Sequence, residues 1–252
     1  MRLLLLGAAL LGASGCVNTG ANAEPEIPNE LVARSVQAMS LATLVGTEVG
    51  SIISAPPEGF STCPAVEQDD DSWSFDYGTE GCVPDSGTTT ETMVGFVSVT
   101  VAEGQGSFIG TVTEVGVGDQ LLSGAILGDT LVSGDLLQAD IDLSSGVWQR
   151  GAATFELETF LELSGTADEV SLFVDAAVLS GAANPTVTID VDEAITPRDG
   201  LVACAVPAAG SMTVYLDVHR ADLTFSADSH ASGNITPAFS DRDPETVAAC
   251  AQ

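Results

Sequence analysis

The sequence contains no lysine, and its positive charge comes from 6 basic residues, all arginine, against 36 acidic residues. The resulting formal net charge of -30 would repel the phosphates of nucleic acids and the headgroups of anionic lipids. This imbalance excludes a nucleic-acid-binding protein. The candidate charged partners are a basic protein or a divalent cation, and solubility is the plainer explanation for so many acids.

The motifs of the common catalytic classes are also missing. The chain has no GxSxG turn, no phosphate-binding loop and no dinucleotide fingerprint. Its two histidines are His219, expected in a solvated position after an alternating strand, and His230, expected at a loop tip. We therefore predict no catalytic residue, no cofactor and no enzymatic activity.

The N-terminus carries a short apolar run that ends on small residues and a cysteine. Residues 3–11 follow Arg2, and this run is shorter than the roughly 20 apolar residues that a transmembrane helix needs. A charged end, an apolar middle and small residues are typical of a secretory signal peptide. Ala13-Ser14-Gly15-Cys16 resembles the lipobox of bacterial lipoproteins. The resemblance implies a signal peptide over residues 1–15 and an acylated Cys16 that anchors the mature chain in a membrane.

The segment after the lipobox is predicted to be a flexible tether. Residues 16–28 are polar, contain prolines and show no apolar periodicity. Val17 stands where an aspartate would imply retention in the inner membrane, so the same resemblance implies the outer membrane of a Gram-negative cell. Residues 29–252 contain no further linker and are predicted to form a single domain.

The remaining cysteines are even in number, which favours disulfides in an exported chain. Local pairing would join Cys63 to Cys82 and Cys204 to Cys250, and the two loops would contribute about 3 and 4 kcal/mol on the chain-entropy model. A zinc site is disfavoured because no CxxC pair is present and the histidines lack zinc-finger spacing. We predict no metal ligand among these residues.

One helix is predicted, over residues 29–54. Prolines flank this segment without interrupting it, and it is apolar on nearly every side, which is typical of a buried helix. Ala38, Ala42, Gly46 and Gly50 fall every four residues on one face, where small side chains allow close approach. A transmembrane dimer could use the same stripe. Charges within the segment favour a core helix against a curved sheet.

From residue 60 onward the apolar pattern changes to a period of two, which predicts half-buried strands. Ten or eleven strands joined by short loops indicate a mainly β fold, and the turn signals between the strands include Leu127-Gly128-Asp129 and Ser144-Ser145-Gly146. We expect an antiparallel curved sheet or partly open β-barrel around the N-terminal helix, with a β-sandwich as the alternative. Expected inward residues include Phe155, Leu157, Leu161 and Leu163; Leu137, Ala139, Ile141 and Leu143; Val187, Ile189 and Val191; and Met212, Val214, Leu216 and Val218.

The segment between the first two body cysteines combines acids and aromatics. Trp73, Phe75 and Tyr77 alternate, and residues 69–71 are three consecutive aspartates. A calcium site or a sugar-stacking platform is one interpretation, and a disulfide-closed hairpin with an aromatic core face is the one we prefer. The segment resembles the openings of uncharacterised bacterial surface lipoproteins, a resemblance that implies no activity.

Three functions are compatible with the sequence. The first is a membrane-anchored lipoprotein with a non-catalytic structural or interaction role in the cell envelope. The second is a carrier that holds an acyl chain or another hydrophobic ligand in the concavity of the sheet, an analogy at the level of the fold. The third, a cell-surface hydrolase, has the least support.

Overall fold

The structure is a computed structural model that describes residues 26–54, 62–87, 89–102, 106–133, 136–166, 169–181, 184–196 and 204–250. Over these residues the chain is mainly β, with one antiparallel, curved, open sheet and one long N-terminal helix. The predicted fold class is therefore confirmed, and all the long strands join one sheet rather than the two of a sandwich.

The described part of the chain contains two helices, α1 (Asn29–Ser54) and α2 (Ala227–Ser232). The main sheet contains β1 (Ala65–Asp69), β2 (Ser72–Cys82), β3 (Met93–Val101), β4 (Ser107–Val117), β5 (Gln120–Ser133), β6 (Leu136–Arg150), β7 (Ala153–Thr166), β8 (Glu169–Gly181), β9 (Asn184–Thr196), β10 (Ala209–Leu216), β11 (His219–Thr224) and β13 (Ala238–Phe239). The short strands β12 (Asn234–Ile235) and β14 (Val247–Ala248) pair with each other.

The order of strands in the main sheet follows the chain from β1 to β11, and β13 is added at the far edge. Every neighbouring pair is antiparallel. This arrangement follows from the short loops, because a short connection returns the chain beside the strand it has just left. The sheet is therefore a meander, and β1 and β13 are its edges.

Helix α1 lies on one face of this sheet, called the inner face below. It contacts β4 to β8 and also β14. Nearly every residue from Leu31 to Gly50 is buried, so the prediction of a core helix is confirmed. By length and composition α1 could also cross a membrane, but 89% of its most apolar window is buried within the fold.

The small-residue stripe of α1 faces the sheet. A Cβ atom added to Gly46 would lie 3.1 Å from Leu161 Cδ1 and 3.2 Å from Leu163 Cδ1, both on β7. Ala38 and Ala42 of the same stripe are also buried. The absence of larger side chains therefore lets the helix approach the strands closely, as the spacing predicts.

The predicted alternation is correct along β6, β7, β9 and β10, with one exception. The exception is Val218, which is 74% exposed because β10 ends at Leu216 and the chain turns at Asp217, a residue with φ of 52°. The side chain of Leu137 lies outside the described residues. The inward residues that are described are Ala139, Ile141, Leu143, Phe155, Leu157, Leu161, Leu163, Val187, Ile189, Val191, Met212, Val214 and Leu216.

Two glycine-containing segments expected to be turns lie inside strands instead. Leu127-Gly128-Asp129 is part of β5, where Gly128 makes room for the ring of Phe108: an added Cβ atom would lie 2.9 Å from it. Ser144-Ser145-Gly146 is part of β6, at a register shift between β6 and β7. Glycine can mark a bulge or a close approach as well as a turn. Here Gly128 marks a close approach and Gly146 marks a bulge.

Replacing Gly46 by leucine should lower the free energy of unfolding by about 2 kcal/mol or more, because overpacking a filled core is costly. Urea unfolding would measure this loss. Leucine at Ser51, a half-buried position on the same helix, is the matched control and should change stability by about 0.5 kcal/mol or less. Unchanged stability of the Gly46 variant would contradict the packing described above.

Candidate functional site

A polar cluster lies between α1, strand β2 and the turn that follows β2. Glu48 of α1 is fully buried, and its carboxylate accepts hydrogen bonds from the Tyr77 hydroxyl at 3.2 Å and the Ser86 hydroxyl at 2.6 Å. Tyr77 projects inward from β2, and Ser86 lies in the turn that follows that strand. A buried carboxylate needs such donors, because burial without them would cost several kcal/mol. The cluster thus fastens the first hairpin to the helix.

Burial and the nearby Glu48 carboxyl raise the pKa of Tyr77 well above its usual value of 10.0. Desolvation is the main cause, because it disfavours the charged phenolate, and the charge of Glu48 and its hydrogen bond to the phenol act in the same direction. The hydroxyl therefore remains a donor at neutral pH. This cluster is structural, because Glu48 and Tyr77 are buried and the half-buried Ser86 joins the turn after β2 to them.

The aromatic residues of the first hairpin share one face of β2, as predicted. Phe75 and Tyr77 are buried and Trp73 is half-buried, with the Trp73 and Phe75 ring centroids 6.2 Å apart. The rings therefore form part of the core, which favours the core hairpin over a sugar-stacking platform. Asp70 and Asp71 form the exposed tip. Within the described residues, no group of three or more His, Cys, Asp or Glu side chains is placed to hold a metal ion.

Two disulfides close the ends of the fold. Cys63 joins Cys82 with a Cα–Cα distance of 5.9 Å, and Cys204 joins Cys250 at 5.6 Å, which is the local pairing. The first closes the β1–β2 hairpin, and the second links the segment after β9 to the segment after β14. Cys16, the predicted lipidation site, lies outside the described residues.

The two histidines hold structural positions that differ from the expected ones. The His219 side chain is only 15% exposed, and its Nδ1 atom lies 2.6 Å from Asp241 Oδ2. His230 lies on α2 rather than at a loop tip, and its Nδ1 atom is 2.6 Å from the Val206 carbonyl oxygen. Helix α2 escaped prediction because it has only six residues; its start is signalled by a capping box of Ser226 and Ser229. Each histidine fastens one segment to another.

The outer face of the sheet, opposite α1, exposes an apolar row. Ile109 on β4 is directly opposite Leu127 on β5, and the row continues through Asp142 on β6 to Phe160 on β7. Ile109 is 63% exposed, Leu127 46% and Phe160 37%. Residues directly opposite on antiparallel strands project from the same face, so Ile109 and Leu127 are neighbours, whereas the half-buried Asp142 separates Leu127 from Phe160. We call Ile109, Leu127 and Phe160 the outer apolar row.

A row of acids runs beside the outer apolar row, two residues along each strand. Asp129 on β5 is opposite Asp140 on β6, which is opposite Glu162 on β7. All three are exposed, and like charges placed directly opposite one another destabilise a sheet. We call these residues the acidic row. The two rows together form a surface with an apolar strip and an acidic strip.

The sequence pattern contains one signal for this surface. Strict alternation along β7 places Phe160 between Glu158 and Glu162, on the acidic side of the strand. An aromatic residue in phase with the charges is out of place on a purely solvating face. The cross-strand registers that align it with Leu127 across Asp142 depend on bulges, which the sequence does not reveal.

No family model matches this chain, and no curated protein or solved structure is similar to it. The functional proposals below therefore depend on the chain's own residues.

We expect the native protein to lose stability above about pH 10, and replacing Tyr77 by phenylalanine should remove that loss. Above that pH the unfolded chain ionises its tyrosines while buried Tyr77 stays protonated, so unfolding becomes more favourable as the pH rises. The chain has no lysine, so tyrosine titration is easy to isolate in this range. Denaturant unfolding at several pH values would measure the effect.

The matched control is Tyr215→Phe, since the chain has only these two tyrosines. This variant should keep the alkaline loss of stability. The Tyr77 variant should also be about 1 kcal/mol less stable at neutral pH, because Glu48 loses a donor. An alkaline loss that persists unchanged in Tyr77→Phe would argue against the buried cluster.

Non-reducing peptide mapping of the exported protein should recover a Cys63–Cys82 peptide pair and a Cys204–Cys250 pair. A Cys82–Cys204 link is incompatible with the strand order, because these residues lie at opposite ends of the meander. Mapping after full reduction and blocking provides the control, since both linked species must disappear.

Proposed function

We propose that the protein is a lipid-anchored envelope lipoprotein with a non-catalytic role, whose outer apolar row and acidic row dock a basic protein partner. The observation that carries this proposal is the exposed pair of Ile109 and Leu127, with Phe160 two strands beyond Leu127, next to the acidic row. Large apolar side chains that are exposed side by side are typical of interaction surfaces.

Charge complementarity identifies the partner. Asp129, Asp140 and Glu162 repel one another across three strands, and a partner with arginines or lysines beside an apolar strip would relieve that repulsion. The net charge of -30 adds long-range attraction for such a partner and repulsion for acidic ones. We therefore infer a basic protein rather than a second copy of this chain.

The inner face offers less support for a carrier. Helix α1 occupies it, and the void left between the stripe at Ala42 and Gly46 and strands β4 to β7 is about 10 Å³. That is about the space of a single water molecule, so an acyl chain does not fit there. A carrier would have to displace α1 from contacts that bury it almost completely, so we favour the docking function.

The resemblance of Ala13-Ser14-Gly15-Cys16 to a lipobox supports an envelope location. On the strength of that resemblance we assign lipidation to Cys16 and a tether to residues 16–28. Two or more acyl chains would hold the protein stably, because each buried methylene contributes about 0.8 kcal/mol. In this arrangement the outer face is free to meet a partner.

A site-specific photo-crosslinker at Leu127 tests the docking surface in intact cells. We expect one dominant protein adduct, identified by mass spectrometry as a basic protein. The same crosslinker at Val218, which is exposed and apolar but distant in the sheet, should not give that adduct. Equal adduct yields from the two positions, or an acidic protein in the dominant adduct, would contradict the proposal.

The acidic row is tested by a triple variant, Asp129→Asn, Asp140→Asn and Glu162→Gln. It should reduce the Leu127 adduct by about tenfold or more, while the matched variant Asp69→Asn, Asp70→Asn and Asp71→Asn, which removes as much charge elsewhere, should leave it unchanged.

Cys16→Ser should move the protein from the membrane fraction to the soluble fraction, and failure of that shift would refute the anchor alone.

A further inference from the structure

A cavity of about 570 Å³ opens at the N-terminal end of α1, away from the outer face. It is bounded by the first turns of α1, the turn between β4 and β5, the hairpin between β6 and β7, and β14. Its volume lies within the range of small-ligand sites, about 300–1,000 Å³. Its charged and amide lining comes from Asn29, Glu30, Arg34, Gln37, Asp119 and Arg150, and Glu30 is the acid that pairs with Arg34.

Arg150 is distinctive among the arginines that the structure describes. Arg34 pairs with Glu30, Arg220 with Asp222 at 3.2 Å and Arg242 with Glu26 at 3.5 Å. Over the same residues, no carboxylate lies within 4.0 Å of the Arg150 guanidinium. An arginine without an acidic partner is unexpected in a chain with 36 acids, and this one lines a cavity.

The position of Arg150 is fixed by a buried amide. Its Nη1 atom donates to Gln37 Oε1, and Gln37 Nε2 donates in turn to the Ala249 carbonyl oxygen. Gln37 is only 2% exposed, so this support cannot rearrange freely. A guanidinium held on one side by a neutral amide keeps other N–H groups and its full charge available for a carboxylate.

Asp119 brings the opposite charge to the same cavity. It lies in the turn between β4 and β5, where its carbonyl oxygen accepts a hydrogen bond from the Gly151 amide at 2.9 Å. Its carboxylate makes no ion pair with any basic residue of the described ranges. Asp119 and Arg150 therefore line one cavity without forming an ion pair within 4.0 Å.

We propose that this cavity binds a small zwitterion, an amino acid or short peptide with free ends, with its carboxylate on Arg150 and its ammonium group on Asp119. Two opposite charges that share a cavity but remain apart match a ligand that carries both. The net charge of -30 repels a simple anion but not a neutral zwitterion. The site is independent of the docking surface, which lies on the opposite face of the sheet.

Titration calorimetry of the full-length protein with alanylalanine tests this assignment. We expect saturable binding of one dipeptide, and a tenfold or greater loss of affinity when either end is blocked, as in N-acetyl-alanylalanine or alanylalanine amide. Absence of saturable binding would overturn the proposal. Equal binding of the N-acetylated form would overturn it too, because the ammonium group would then play no part.

Two variants assign the contacts. Arg150→Gln and Asp119→Asn should each weaken dipeptide binding at least tenfold, and circular dichroism would check that both fold. The matched controls are Arg220→Gln, an arginine with an acidic partner, and Asp217→Asn, another hairpin-turn aspartate; neither should alter binding. Because Asp119 is exposed, its variant tests the site even if Arg150→Gln does not fold. Native affinity in a folded Asp119 variant would refute the site.

Discussion

The contact between α1 and the inner face of the sheet is the constraint on which the rest of the structure depends. A single antiparallel sheet with one apolar face cannot exist alone in water, since burying that face is its main source of stability. Here one 26-residue helix covers it. The stripe containing Gly46 sets the separation between helix and sheet, and the apolar sides of α1 explain why the strands curve around it instead of lying flat.

Burying a helix on nearly every side also buries polar residues, and several polar side chains of α1 fasten other parts of the fold. Glu48 accepts hydrogen bonds from the first hairpin. Gln37 joins the end of β6 to the segment after β14 through Arg150 and Ala249. Ser40 donates to the Ala205 carbonyl at 2.7 Å. The two disulfides close the same two regions, so polar contacts and covalent links both hold the ends of the meander near the helix.

How far the sequence predicts this molecule depends on how local each signal is. The bounds of α1, its buried character and the inward residues of the long strands follow from periodicity, which is a local property. Val218 and the Leu127-Gly128-Asp129 segment were misassigned because a glycine or a strand end has the same local appearance in a turn, a bulge or a close approach. The partners of Glu48 and Arg150 could not be predicted at all, since they come from residues 29 to 113 positions away. The outer apolar row could be predicted only in part: Phe160 is out of place in the sequence, but its neighbours in the sheet depend on bulged registers.

The absence of lysine is consistent with the contacts that the arginines make, which include stacking on aromatic rings and hydrogen bonds to other segments. The guanidinium of Arg34 lies 4.7 Å from the centroid of the Phe155 ring, and that of Arg242 lies 3.7 Å from the centroid of Phe239. Arg242 also donates to the Ile27 carbonyl oxygen at 2.9 Å, next to the start of α1. Stacking on a ring while donating in several directions suits a planar guanidinium, whereas a lysine ammonium offers a single point charge. Arg34 and Arg242 thus stabilise contacts between segments, and no arginine of the described ranges belongs to the outer apolar row or the acidic row. Over these ranges the acidic row therefore has no positive side chain of its own, and its negative field faces outward.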